Sequence, residues 1–147
     1  MRYLAIDYGT KRTGAAICDP SETIVSPLAV IEGQKDLLDR IVQLVETENV
    51  GAIVLGLPLN MDDSVGPQAK LVLQFAEQLK SRLSIPVYFQ DERLTSFAAE
   101  QKSAHLESSK KKKRKPLDAL AAAAILEAFL EHNGNKPLLN EPRSYLQ

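Results

Sequence analysis

Residues 2–18 read RYLAIDYGTKRTGAAIC. Two short apolar runs, 2–6 (RYLAI) and 13–18 (TGAAIC), flank YGTKR, and Gly9 and Gly14 allow a tight turn or a close approach of backbone there. The spacing predicts an opening hairpin. After the Asp19-Pro20 turn a third strand is predicted over 24–31 (IVSPLAVI); Pro27 inside it has no amide donor and belongs at a sheet edge or a bulge.

Beyond this meander the hydrophobic period changes. Leu37, Leu38, Ile41, Val42 and Val45 recur at helical spacing, which predicts a helix from Asp36 to about Glu48. Ala52–Leu55 (AIVL) reads as a buried strand, and 56–66 (GLPLNMDDSVG) as a loop rich in turn formers, of a length often tied to function. A second helix, with Leu71, Phe75, Ala76 and Leu79 on one face, is expected to about Leu83. Val87–Gln90 is the fifth strand, DERLTS leads into a helix from Ser96, and a last helix starts at Pro116 and runs through LDALAAAAILEAFLEH. Its Ala121–Ala124 run lets the helix backbone lie close to a sheet. Strands that alternate with helices after a meander predict an α/β sheet with right-handed crossovers. Residues 1–133 are expected to form one domain and 134–147, with Gly134, Pro137 and Pro142, a tail.

A chain of 147 residues buries about 70% of its unfolded surface in one core and has no room for two catalytic domains. Hydrophobic residues at 44% and charged residues at 25% are ordinary for a globular protein and exclude a fibrous or largely disordered chain. There is no apolar run long enough to span a bilayer and no cleavable signal pattern, so a cytoplasmic protein with no membrane partner is expected. Cys18 has no cysteine partner, and with only His105 and His132 beside it no zinc site of soft ligands can be assembled; both histidines are expected at the surface. Metal chemistry must therefore rest on carboxylates. Lys110–Lys115 (KKKKRK) holds six of the 18 basic residues and no acid, which leaves the rest of the chain net acidic. Such a segment suits a polyanion. Without Trp, and with aromatics at 5%, a surface that binds single strands mainly by stacking is not expected.

The candidate site follows from where the elements end. Asp7 closes strand one, Asp91-Glu92 closes strand five and Asp118 opens the last helix; ligands of open α/β sheets sit at the carboxyl ends of strands. Singly, each acid has an ordinary explanation: Asp7 as a turn former, Asp118 as a complement to the helix dipole, Asp91-Glu92-Arg93 as a solvated strand end. Together they form a costly acidic cluster unless cations neutralise it, and hard divalent ions with oxygen ligands are the natural partners. Two ions in such a cluster suit phosphodiester hydrolysis. Lys11, Arg12 and Arg93 lie near these acids and are candidate phosphate contacts, together with Lys110, Lys111, Lys112, Lys113, Arg114 and Lys115 just before Asp118. Asn60 and Ser64 offer hydrogen bonds to sugar or phosphate, although Asp62-Asp63-Ser64 also reads as a turn and helix cap.

Four blocks in order, YLAIDYGTKRTGAAICD, GLPLNMDDS, FQDERLTS and PLDALAAAAILEAFL, resemble those of the YqgF family, also called RuvX, known both as Holliday junction resolvases and as pre-16S rRNA nucleases. The resemblance spans residues 2–131. It implies a ribonuclease H-like fold: a five-stranded mixed sheet, its first three strands antiparallel, with helices on both faces. It also implies phosphodiester cleavage with Mg²⁺ or Mn²⁺. By position, the family's acidic residues fall on Asp7 as bridging ligand and on Glu92 and Asp118 as outer ligands. Residue types alone do not choose between Asp91 and Glu92; the family motif favours Glu92. Asp63 stands where the family commonly has glycine. Ala121, one turn after Asp118, supplies no fourth carboxylate of the kind RuvC-type resolvases carry, which favours general nuclease chemistry over junction resolution.

The substrate so implied is structured RNA, at the 5′ end of precursor 16S rRNA, with ribosomal precursor particles as a partner. The rival readings are resolution of four-way DNA and a non-catalytic role in nucleic-acid binding or ribosome assembly. DYGTKRTG also resembles the phosphate-binding hairpin of actin-like and sugar-kinase-like ATPases, but those need two such domains around the nucleotide.

Overall fold

A computed structural model of the chain describes residues 1–94 and 114–133. The strands are β1 (Tyr3–Asp7), β2 (Arg12–Cys18), β3 (Val25–Glu32), β4 (Ala52–Leu57) and β5 (Val87–Asp91). Helix α1 (Leu37–Thr47) precedes β4, α2 (Pro67–Arg82) precedes β5, and a 3-10 turn, Glu92–Leu94, follows β5; α3 (Arg114–Asn133) comes last. The predicted helix from Ser96, His105 and the predicted tail lie outside the described residues.

The sheet order is β3-β2-β1-β4-β5. β1 pairs antiparallel with β2 and β2 with β3, whereas β1–β4 and β4–β5 are parallel. This is the expected mixed sheet. Pro27 sits on the edge strand at a register shift, where Ala15 faces Ala29 and Ala16 faces Pro27, so the missing amide falls at both an edge and a bulge.

Side chains alternate across the sheet and divide the core in two. Leu4, Ile6, Ile53 and Leu55 face α1 and α2, meeting Leu37, Ile41, Phe75 and Leu79. Ala5, Cys18 and Val54 face α3, where Ile125, Leu126 and Phe129 cover them. Phe129 lies 5.1 Å from Tyr3 and 5.7 Å from Tyr88 between ring centroids. Ala122 and Ala123 are buried against Ala16, so the alanine run does bring α3 close to β2. Among the described residues no helix is long and apolar enough to cross a membrane.

Two element bounds shift by two residues, and one buried face differs from the sequence reading. β4 continues through Gly56 and Leu57, because Gly56 and Leu57 pair with Gln90 and Asp91; the loop is therefore 58–66. α2 buries Val72 where Leu71 was expected, with Leu71 only partly covered. α3 starts at Arg114 rather than Pro116, which places Arg114 and Lys115 in its first turn. A proline at the third helical position loses no bond, since the first four amides of a helix have no intrahelical acceptor.

Candidate active site

The alternation that turns Ala5 and Val54 toward α3 turns Asp7 and Gly56, two residues further along β1 and β4, to the same face. Asp7 is in register with Gly14 of β2. A Cβ on Gly14 would collide with the carbonyl oxygen of Asp118, so the first turns of α3 lie directly on the β2 backbone at this point. Asp7 and Asp118 are thereby neighbours. Burial, and then the charge of Asp118, push the Asp7 carboxyl up to about 6.

Glu92 reaches the group from the other side. Its carboxylate lies over Gly56, where an added Cβ would be 2.6 Å from Glu92 Oε2 and 2.5 Å from Ile125 Cδ1. Only the absence of a side chain at 56 leaves this path open. Burial and the charges of Asp7 and Asp91 push Glu92 up to about 7. The three acids thus adjoin along one sheet end, with Asp7 the member that interacts with both others. Among the described residues, no three His, Cys, Asp or Glu side chains are grouped tightly enough to enclose an ion by themselves.

Asp91, the alternative to Glu92, points elsewhere. Its burial would raise its pKa, but bonds from the Arg93 side chain and backbone outweigh this and hold it below the usual carboxylate range. Arg93 Nη2 lies 2.6 Å from Asp91 Oδ2 and 2.9 Å from Asp63 Oδ1. Its Nη1 donates to the carbonyl of Asn60 at 2.8 Å. The structure therefore engages Arg93, a candidate phosphate contact, with the 58–66 loop. In that loop Asn60 Nδ2 donates to Ser64 Oγ at 2.9 Å, and Ser64 N to Asp62 Oδ1 at 3.0 Å.

Arg12 Nε is 3.9 Å from both Asp118 Oδ2 and Glu32 Oε2, and it is buried without a hydrogen bond. Lys11 is exposed at the β1–β2 turn. Thr13, buried beneath this turn, exchanges hydrogen bonds with Gly9 N and O at 3.3 Å. Lys110–Lys113 lie outside the described residues. Sequence reasoning missed Gly56, for which the only signal was a glycine at the end of a buried strand. It also missed the Asp91–Arg93 pairing, which joins residues of opposite charge two positions apart.

The family model described as "RuvX: Holliday junction resolvase" matches residues 1–132. A protein of Roseiflexus sp. (strain RS-1) named "Putative pre-16S rRNA nuclease" is 41% identical over 132 residues, 88% of this chain and 94% of its own. A protein of the same name from Bacillus cereus (strain B4264) is 39% identical over 135 residues, 89% of this chain and 98% of its own. Among solved structures, Thermus thermophilus RuvC in complex with a Holliday junction substrate superposes with a TM-score of 0.61 at 16% identity. That match covers 95% of this chain and 99% of the other, and it shows a common ribonuclease H-like fold. On the family match and the identity across nearly the whole length, the chain belongs to the RuvX family.

Proposed function

We propose that this chain is a metal-dependent nuclease that hydrolyses phosphodiester bonds of structured RNA, at the 5′ end of precursor 16S rRNA. The observation that carries the reading is the adjacency of Asp7, Asp118 and Glu92 on the α3 face of the sheet, with Asp7 and Glu92 both raised in pKa. Clustering of this kind is unfavourable for the protein alone, which supports a role in holding a cation. The names of the relatives from Roseiflexus and Bacillus cereus support the RNA substrate.

The donor set fits Mg²⁺ or Mn²⁺, because it is all carboxylate oxygen, and such ions keep several waters rather than requiring a closed protein cage. Asp7, Glu92 and Asp118 are the residues that would hold the metal, with Asp7 between the other two. When bound, these ions activate a water and stabilise the leaving oxygen in phosphodiester hydrolysis. The chain's own groups hold the substrate. Lys11 and the Lys110–Lys113 segment, with Arg114 and Lys115, bind phosphates. Asn60 and Ser64 present an amide and a hydroxyl to sugar or phosphate. Arg12 offsets the charge of Asp118.

A precursor 16S rRNA fragment and a four-way DNA junction, offered side by side with Mg²⁺ or Mn²⁺, test the reading. The expected result is metal-dependent cleavage of the RNA near its 5′ end, lost in Asp7→Asn. Cleavage of the junction alone would establish resolvase activity, the description carried by the family model. Binding of either substrate without cleavage would leave a non-catalytic role in ribosome assembly.

A further inference from the structure

β5 ends at Asp91, and the next residue carries the longest of the three acidic side chains. A glutamate at a strand end has three side-chain torsions to fix, and fixing them costs conformational entropy. The backbone around it is held in an unusual way. Asp91 Oδ1 accepts the Arg93 amide at 2.9 Å and Arg93 Nε at 3.0 Å, while Oδ2 accepts Arg93 Nη2 at 2.6 Å. One carboxylate thus receives both the main chain and the side chain of the residue two positions on. The remaining donors of the guanidinium reach the carbonyls of Asn60 at 2.8 Å and Met61 at 3.4 Å, and Asp63 Oδ1 at 2.9 Å. Asp91 and Arg93 are turned to the 58–66 loop, and Glu92 between them is turned to Gly56.

The loop that Arg93 grips is itself closed. Asn60 N donates to Ser64 O at 3.0 Å and Asp63 N to Asn60 O at 2.9 Å. The Asn60 carbonyl therefore accepts from both the loop's own amide and the Arg93 fork.

We infer that Arg93 is a positioning residue: by clamping Asp91 across Glu92 and tying both to the 58–66 loop, it holds the Glu92 carboxylate over Gly56 in the place where it serves the cation site. The inference rests on the reading of Glu92 as a metal ligand. A planar fork is needed for this work, because it must meet a carboxylate with two nitrogens while a third reaches a carbonyl. Lysine keeps the charge but has a single nitrogen. Partners that orient a metal ligand typically change metal affinity by about 10–100-fold when removed.

Mn²⁺ binding to the full chain, followed by electron paramagnetic resonance without nucleic acid, tests the inference. Arg93→Lys and Asp91→Asn are each expected to bind Mn²⁺ about 10–100-fold more weakly than wild type while retaining the thermal unfolding midpoint within a few degrees. Amide hydrogen exchange in 58–66 should rise in both. In a Glu92→Gln background, Arg93→Lys should change Mn²⁺ affinity no further, because the clamp acts only through Glu92. Wild-type Mn²⁺ affinity in Arg93→Lys, beside weakened binding in Glu92→Gln, would overturn the clamp and leave the site intact. An additive loss in the double variant would also overturn it, since Arg93 would then act independently. Absence of Mn²⁺ binding by wild type would overturn the underlying reading of the site as well.

Discussion

Gly14 of β2 lies against the Asp118 carbonyl so closely that no side chain fits between them. Because Gly14 is also the register partner of Asp7, this one backbone contact sets the approach of the last helix to the sheet and the spacing of two acids.

Gly14→Ala should therefore be damaging out of proportion to its size. The new methyl overlaps backbone, which cannot rotate away, and overpacking of this kind costs about 1–3 kcal/mol. Urea denaturation should show a lower midpoint with an unchanged slope, and RNA cleavage should fall more than the residual folded fraction explains, because Asp118 moves with the helix. Full activity in a folded Gly14→Ala variant would contradict this coupling.

Stability without metal should fall as pH rises. Asp7 at about 6 and Glu92 at about 7 both exceed the ordinary carboxylate values of 3.8 and 4.5, so the folded state binds protons more tightly than the unfolded chain. Between about pH 4 and 7 the native state holds the extra protons, and deprotonating it through this window removes stability. Thermal unfolding in chelator should show a higher midpoint at pH 5 than at pH 8. Asp7→Asn should raise the pH 8 midpoint, and Mg²⁺ should do the same for wild type.

The basic run should supply affinity without sequence choice. Each lysine that neutralises a phosphate releases counterions, contributing nearly one unit of log–log salt slope. Replacing Lys110–Lys113 with serine should flatten the salt dependence of RNA binding by up to about four units. An unchanged slope would remove the run from the substrate path.

Asp63 occupies the left-handed region at φ 72°, which glycine enters without steric cost. That conformation costs a side-chain-bearing residue about 1–2 kcal/mol, less for aspartate, whereas an exposed ion pair such as Asp63–Arg93 returns about 0.2–1 kcal/mol. Asp63→Gly should then leave global stability within about 1 kcal/mol of wild type, with any change favourable. A destabilisation well beyond 1 kcal/mol, measured in urea, would show that the ion pair outweighs the backbone strain.

Local pattern was enough for the architecture. The short apolar runs of β1 and β2, the proline in β3 and the 3.6-residue period of α1 are properties of neighbouring residues, so element order and sheet class are legible directly. The proline signal places the start of the last helix at Pro116, yet Arg114 and Lys115 also lie in its first turn, because helix ends vary by one or two residues around such local signals. The different orientations of Glu92 and Asp91 belong to the tertiary structure. Both are acids at one strand end, and what separates them is long-range: the carbonyls of Asn60 and Met61 and the carboxylate of Asp63 recruit Arg93, Arg93 takes Asp91, and the bare backbone of Gly56 leaves room only for Glu92. No local sequence window contains that competition, because its members come together only when β4 and β5 pair in the sheet.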